Sequence, residues 1–359
     1  MNSTVQSHSS NTDNDLSSLT DTQAIALCKE FVSVTNTDTT LAKIILQENQ
    51  WNLERAVSTY FDLIIDQSNK EIDSSISIDN QYENSELNIK SSITDIELTN
   101  IKKNFKLLSW NIDGLDEYAL EIRTQGVIDI IKKEEPDAVF LQEVIPTSLK
   151  LIRTFLPEYD SYAGNIQGYF VVILTRRDMF RIHGFEIIAY PGSNMNRNLL
   201  IVHTTYKNSI EIDLMTSHHE SGTEEVSSEQ RIEQLKVCFQ RMLDAPLHRI
   251  ILFGGDLNMR EKELRKIGNI PSGICDLWIE TGKRNECAYT WDMSHNTNNN
   301  FPLNTFQPRA RFDRLYFRSI IKPHIKFQPI YFELKGLEKL SSIQRYCSDH
   351  WAIQVYFEI

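Results

Sequence analysis

Ile250-Ile251-Leu252-Phe253-Gly254-Gly255-Asp256-Leu257-Asn258 sets four apolar residues, two glycines, a carboxylate and an amide in close order. The apolar run, half of it β-branched, predicts a buried strand, and the glycines predict where it stops. In extended chain, positions i and i+2 point the same way, so Asp256 and Asn258 address one small volume. α/β enzymes present catalytic groups in this way, at the end of a buried strand. A strand that simply runs into an Asp/Asn turn has the same composition, so this stretch alone leaves both readings open.

The same grammar recurs on either side. Strands are expected at Phe105–Trp110, Val139–Leu141, Tyr169–Leu174, Asn198–His203, Ile210–Thr216, Phe312–Phe317, His324–Phe332 and Trp351–Phe357. Val127, Ile130 and Ile131 mark one helix, and Glu229–Leu243, with Ile232, Leu235, Cys238, Phe239 and Met242 on one face, marks another. Several strands end in residues capable of chemistry: Asn111-Ile112-Asp113-Gly114, Gln142-Glu143, Ser217-His218-His219-Glu220, and Asp256-Leu257-Asn258. Ser348-Asp349-His350 precedes the last strand, and Arg311-Phe312-Asp313-Arg314 opens another. Each has an ordinary explanation as a turn, a cap or a solvated loop. Their shared position at strand ends is what the ordinary explanation leaves over. About 255 residues of strands with interspersed helices imply one large α/β or α+β domain.

The chain has 359 residues and 41% hydrophobic content, enough for that domain, a sizeable core and a smaller unit. It contains no apolar run of membrane-spanning length and no signal-peptide core, so a soluble intracellular protein is expected, without membrane contact. Five cysteines without a CxxC spacing argue for reduced thiols rather than disulfides or zinc. The net charge of −12 is uneven: residues 1–100 hold 16 Asp and Glu against 5 Lys and Arg. The remaining 33 acids and 32 bases nearly cancel, so the body is compatible with a local basic groove for nucleic acid.

Residues 1–19 are polar and expected to be disordered, and residues 67–103 read as an acidic flexible linker. Between them, residues 20–66 show helical spacing three times: Ala24, Leu27, Cys28 and Phe31; Leu41, Ile44 and Ile45; and Leu53, Ala56, Val57, Tyr60 and Phe61. Thr20 or Asp21 and Asn52 serve as N-caps. The Trp51-Asn52-Leu53-Glu54-Arg55-Ala56-Val57 run with Tyr60-Phe61 resembles the UBA-like domain, a three-helix ubiquitin-binding module. The loop that usually carries a Met-Gly-Phe/Tyr motif instead reads Val34-Thr35-Asn36-Thr37-Asp38. The segment is compatible with ubiquitin binding and with a helical bundle that only docks on the body or on a protein partner.

In the body, Glu143 and the aspartates are hard oxygen ligands suited to Mg²⁺, histidines suit a phosphoryl transition state, and a carboxylate beside an amide can deprotonate and aim water. Trp110-Asn111-Ile112-Asp113-Gly114, Leu141-Gln142-Glu143-Val144, Ser217-His218, Gly255-Asp256-Leu257-Asn258, Phe312-Asp313 and Ser348-Asp349-His350 together resemble the endonuclease/exonuclease/phosphatase superfamily. That resemblance covers residues 104–359 and implies a two-sheet α/β sandwich of the DNase I type with its site at one end. Within the superfamily the chain is most similar to the 5′-tyrosyl-DNA phosphodiesterases, on Glu220-Ser221, Asn258-Met259-Arg260 and Tyr289-Thr290-Trp291-Asp292 as well.

The resemblance implies Glu143 as principal Mg²⁺ ligand, with Asp349 contributing and Mn²⁺ as a substitute. It implies Asp256 as the base that activates water, Asn258 to aim it, and Asn111 at the phosphate. His350, oriented by Asp313, and His218 would stabilise phosphoryl charge. Arg260 and Ser221 would contact phosphate or DNA, and Trp291 and Tyr169 would pack on the DNA. The implied substrate is DNA with a 5′-tyrosyl or peptide adduct left by topoisomerase II, acted on by a monomer. A nuclear place of action, with a cytoplasmic share, follows from that substrate and not from any address in the chain. An abasic-site endonuclease and a ubiquitin-reading adaptor with an idle body are the competing readings.

Overall fold

The computed structural model describes residues 21–35, 39–48, 51–53, 56–57, 104–268, 270–299, 307–320 and 326–359. The segments expected to be disordered or linker, and Thr20, Glu54, Arg55, Tyr60 and Phe61, lie outside them. The chain divides into two units, Met1–Ser77 and Ile78–Ile359. In the first, α1 (Asp21–Thr35) and α2 (Thr39–Glu48) bury Cys28 and Phe31 against Ala42, Ile45, Leu46 and Ala56. Trp51, Leu53 and Val57 pack on this core, and the Ala56 N–H donates to the Asn52 carbonyl at 3.0 Å, as expected where Asn52 heads a third helical turn.

The second unit follows the order β1 (Phe105–Asn111), α3 (Leu120–Glu134), β2 (Ala138–Val144), α4 (Pro146–Phe155), β3 (Tyr159–Ala163), β4 (Phe170–Arg176), β5 (Phe180–Ala189), β6 (Asn198–Tyr206) and β7 (Ile210–Ser217). It continues with α5 (Glu225–Asp244), β8 (Ile250–Asp256), α6 (Glu261–Ile267), β9 (Ile274–Asp276), α7 (Leu277–Glu280), β10 (Trp291–Asp292), β11 (Arg309–Ala310), β12 (Asp313–Arg318), β13 (Gln328–Lys335) and β14 (Ala352–Glu358). Two six-stranded sheets form, in the orders β13-β14-β1-β2-β4-β3 and β5-β6-β7-β8-β12-β9. Their facing surfaces share one core in which Leu107, Phe140 and Val355 meet Leu214, Leu252 and Leu315. On the outer faces α3 and α4 cover the first sheet through Val127, Ile131, Leu149 and Ile152, and α5 covers the second through Leu235, Phe239 and Met242. This is the expected two-sheet α/β sandwich, layered helix–sheet–sheet–helix. Among the described residues no helix is long and apolar enough to cross a membrane.

Two expectations need correction. The glycines do not stop β8, which runs through both of them to Asp256. They are there for close approach: a Cβ on Gly254 would lie 2.2 Å from the Arg314 carbonyl oxygen, and one on Gly255 2.1 Å from that of Ser217. Neighbouring strands press onto bare backbone. The strands Tyr159–Ala163 and Phe180–Ala189, and the helix Pro146–Phe155, were not anticipated. Tyr159–Ala163 is short and β5 is an edge strand with exposed Phe185 and Ile187, so neither carries the buried apolar run that marks the central strands.

Candidate active site

Strand alternation builds the site. Along β8, Ile250 and Leu252 face the core between the sheets while Ile251 and Phe253 face α5. The same parity aims Asp256 inward. In β1 Phe105 and Leu107 face inward, which aims Asn111 inward; in β7 Ile212 and Leu214 do so, which aims His218 inward; in β12 Leu315 and Phe317 do so, which aims Asp313 inward. Asp313 pairs in register with Asp256 across the antiparallel β8–β12 ladder. The apolar filling of the sandwich therefore gives way, at one end, to an inward-facing polar cluster.

Its geometry is tight. The Asn111 amide donates to Asp256 Oδ2 at 2.9 Å and to Glu143 Oε1 at 3.1 Å, joining the two sheets. His218 Nε2 lies 3.2 Å from Asp256 Oδ2 and 4.0 Å from Glu143 Oε1. Arg197 Nη1 sits 2.6 Å from His218 Nδ1. A guanidinium can only donate, so Nδ1 accepts and the ring proton is on Nε2, facing Asp256. The Asn258 side-chain amide is 3.2 Å from that same Nε2. Placed as Nδ2, that end also donates to the His219 carbonyl at 3.4 Å, a long bond; with the amide turned over, its oxygen accepts the Nε2 proton instead.

Asn258 reaches this place by a route other than strand alternation. β8 has ended, and Asn258 is in the left-handed region with φ 51°. Its backbone N–H donates to Asp256 Oδ1 at 3.0 Å, an Asx turn that folds the two side chains together. The turn reading and the site reading of this stretch are both true. Glu143 is likewise left-handed, at φ 54°, where the β2–β4 register shifts between Leu141 and Val144. Plain alternation would send it toward the outer helices; the bulge turns it back to Asn111.

On the other flank His350 Nδ1 bonds Asp313 Oδ2 at 2.8 Å, and its Nε2 lies 3.8 Å from Asp256 Oδ2. Burial lowers the His350 pKa, but Asp313, Asp256 and Asp349 outweigh it and hold the imidazolium well above its ordinary range. Ser348 Oγ donates to the Asn111 carbonyl at 2.6 Å and accepts the His350 N–H at 3.0 Å, tying this loop to β1. Burial pushes the Asp256 carboxyl up, while His218, His350 and Asn111 more than offset that and hold it well below the usual carboxylate range.

Asp256, Asp313 and His350 offer ligand atoms within 4.8 Å of one another. His350 Nδ1 and Asp313 Oδ2 are spent on each other, and both Asp256 oxygens accept from Asn111 and Asn258, which favours a charge-paired group over a cation cage; Asp313 Oδ1 is left without a hydrogen-bond partner. A hard-oxygen set lies beside them. Burial, with Asp349 and Glu143 nearby, pushes the Asp113 carboxyl up to about 7 against the pull of Arg123. Such uncompensated negative charge fits a divalent cation. Asp349 Oδ2 accepts from the Trp291 indole N–H and the Asn299 amide, both at 3.0 Å. Gly114 lets the chain lie close against Glu143, because a Cβ there would lie 2.0 Å from the Glu143 carbonyl oxygen.

Asn111, Glu143, His218, Asp256, Asn258, Asp313 and His350 therefore converge, with Asp349 beside Trp291. Tyr169 lies 6.4 Å from the His218 ring with the Arg197 guanidinium 4.8 Å over its face. Arg260 bonds the Asn258 carbonyl at 3.0 Å and lies over Phe312 at 5.4 Å, and Phe312 packs on Trp291. The Ser221 hydroxyl meets Met195 Sδ at 3.3 Å, and that sulfur lies 3.5 Å from Arg197 Nη2. His219 points outward, where burial pushes its pKa down to about 3. Arg197 and Asp113 were missed as site residues. Arg197 sits in the polar segment Ser193-Asn194-Met195-Asn196-Arg197, which carries no sequence signal, whereas Asp113 was visible only as part of a turn.

A sandwich end holding an acidic cluster, a buried carboxylate and two histidines defines a metal-assisted phosphoester hydrolase. Residues 108–350 match the endonuclease/exonuclease/phosphatase family, and residues 26–63 match the UBA-like domain. The tyrosyl-DNA phosphodiesterase 2 of Danio rerio is 34% identical over 92% of this chain and 97% of its own length; that of Homo sapiens is 35% identical over 93% and 92%. The crystal structure of D. rerio TDP2 with single strand DNA product covers 71% of this chain and 99% of its own, with TM-score 0.68 and 38% identity. That of TDP2 from C. elegans covers 99% of both chains at 26% identity and TM-score 0.64. The chain belongs to the endonuclease/exonuclease/phosphatase family and, within it, to the tyrosyl-DNA phosphodiesterase 2 group.

Proposed function

We propose that the body hydrolyses the phosphodiester joining a tyrosine hydroxyl to a DNA 5′ end, with Mg²⁺ as the working ion and Mn²⁺ as a substitute. The observation that carries this reading is Asn111 bridging Asp256 and Glu143 across two sheets, at 2.9 and 3.1 Å, in a chain aligned nearly end to end with relatives of that name. Asp256 takes a proton from the attacking water, and Asn258, held by the same turn, aims it. His218, with its proton on Nε2, and the His350 imidazolium face developing phosphoryl charge. A cation held by Glu143 and Asp349, with Asp113 beside them, would supply Lewis-acid neutralisation of the phosphate oxygens. Trp291 with Phe312, and Tyr169 with Arg197, offer aromatic faces on either flank for DNA and leaving group, and Arg260 adds positive charge beside Asn258.

The chemistry suits this ester. Tyrosine leaves as a phenolate whose conjugate acid has a pKa of about 10, so in-line positioning and charge neutralisation suffice without a strong general acid. Products are a 5′-phosphate end and the tyrosine or topoisomerase II-derived peptide. The expected result is Mg²⁺-dependent release of tyrosine from a 5′-phosphotyrosyl oligonucleotide, with little cleavage of an abasic duplex in parallel. Abasic cleavage without tyrosine release would replace this reading by the endonuclease one. Inertness toward both would leave an adaptor.

We place the protein's action in the nucleus, with a cytoplasmic share, because that is where such adducts form. Residues 20–66 are read as a ubiquitin-binding unit, supported by the family match and the Phe31–Ile45–Ala56 core. Titration of the full chain with ubiquitin should give saturable weak binding that is lost on deleting residues 1–66. Flat curves to about millimolar would restrict the unit to docking on other partners.

A further inference from the structure

The Glu220 carboxylate is buried beside the site and takes no direct part in the chemistry above. Oε1 accepts the backbone N–H groups of Asn194 at 2.7 Å and Met195 at 3.0 Å. Oε2 accepts the Ser193 hydroxyl at 2.8 Å and the Gln234 amide at 3.1 Å. Gln234 returns the contact by accepting the Glu220 N–H at 2.9 Å, and Arg231 bonds the Glu220 carbonyl at 3.0 Å. The residue is thus anchored on α5 while its carboxylate gathers one short loop. Ser193 passes the constraint on, because its oxygen accepts the Arg197 backbone N–H at 2.8 Å. Arg197 then reaches His218 Nδ1 at 2.6 Å.

We propose that Glu220 is a positioning residue, whose carboxylate sets the Ser193–Arg197 loop so that Arg197 fixes the tautomer of His218. This rests on the reading of His218 as a group that faces the reacting phosphate. The donor inventory makes the site selective for a carboxylate. All four partners of Glu220 donate, so an amide there must turn its own NH₂ group toward at least one donor. The loop carries no other carboxylate to replace it, and Arg197 Nε is buried without a partner, so the guanidinium is held only through its tips.

The test is a cycle of kcat and KM on the 5′-phosphotyrosyl oligonucleotide for Glu220→Gln, Arg197→Ala and the double variant. Glu220→Gln alone should lower kcat about 10- to 100-fold, the range for residues that orient a catalytic shell. In the Arg197→Ala background the same change should cost less than about twofold, because the two act through one contact. Equal losses in both backgrounds would overturn the proposal and reduce Glu220 to a stabilising residue. If Glu220→Gln does not fold, Ser193→Ala, which removes only the hydroxyl relay, takes its place in the cycle with the same two outcomes. The ¹⁵N shifts of His218 give a reading independent of substrate. Wild type should show Nδ1 unprotonated and Nε2 protonated, and the variants a mixture of tautomers; an unchanged pattern would defeat the proposal even if the substrate assignment stands.

Discussion

Asp256→Asn is expected to lower turnover of a 5′-phosphotyrosyl oligonucleotide by about 10²–10⁴-fold, the range supplied by a positioned base. Binding of the uncleaved oligonucleotide should hold within about twofold, since Asp256 is read as acting on water and not on DNA. The substitution keeps shape but loses charge where His218, His350 and Asn111 all face the carboxylate. It also turns an acceptor into a donor: an NH₂ group at this place confronts the Asn111 amide, the His218 Nε2–H or the Asn258 N–H. A stability effect therefore accompanies the kinetic one, and its sign follows from linkage. The folded carboxyl is held below its unfolded value, so its contribution is present above about pH 3.9 and is lost as pH falls toward the folded value. Wild type should exceed the variant in melting temperature at pH 7, and the gap should narrow in acid below about pH 4. A near-normal rate in the variant would reassign the base; a gap that widens in acid would contradict the electrostatic account.

Glu143→Gln should separate stability from activity. Glu143 sits with Asp113 and Asp349, and burial first, then repulsion from Asp349 and Glu143, raises the Asp113 pKa. Removing one charge relieves that repulsion in the metal-free protein, a gain on the order of 0.5–2 kcal/mol, readable as a higher melting temperature in EDTA. Metal-supported charge neutralisation is worth several kcal/mol, so the rate should fall by about a thousandfold and the Mg²⁺ concentration for half-maximal rate should rise. An unchanged metal response would move the principal ligand elsewhere in the acidic set. The left-handed backbone at Glu143 is not relieved by glutamine, so any stabilisation reads the charge alone.

The strand parity of this site was legible in the chain. Once Ile250 and Leu252 are taken as core residues, Asp256 shares their face, and the same counting brings Asn111, His218 and Asp313 inward. What parity could not give is the pair of left-handed residues. Glu143 is aimed by a bulge and Asn258 by an Asx turn, and neither deviation shows in a hydrophobic pattern. Ser221 is also beyond the reach of parity: it lies four residues past the end of β7, and its hydroxyl meets Met195. The edge strand β5 went unseen because exposed Phe185 and Ile187 break the buried run that marks a central strand.

The two-sheet arrangement came only through the family resemblance, while the sequence by itself determined the mixed strand-and-helix class, the positions of most strand ends and the inventory of carboxylates, amides and histidines there. Those follow from local rules, since periodicity and burial act over a few residues. Only the tertiary structure decided which of these groups share a proton and which face a cation. Asn111 meets Asp256 across 145 positions of chain, His350 meets Asp313 in a different sheet, and Arg197 reaches His218 from an unpatterned loop. Distances of about 3 Å between such residues are set by how two packed sheets close on each other, a constraint that no single segment carries.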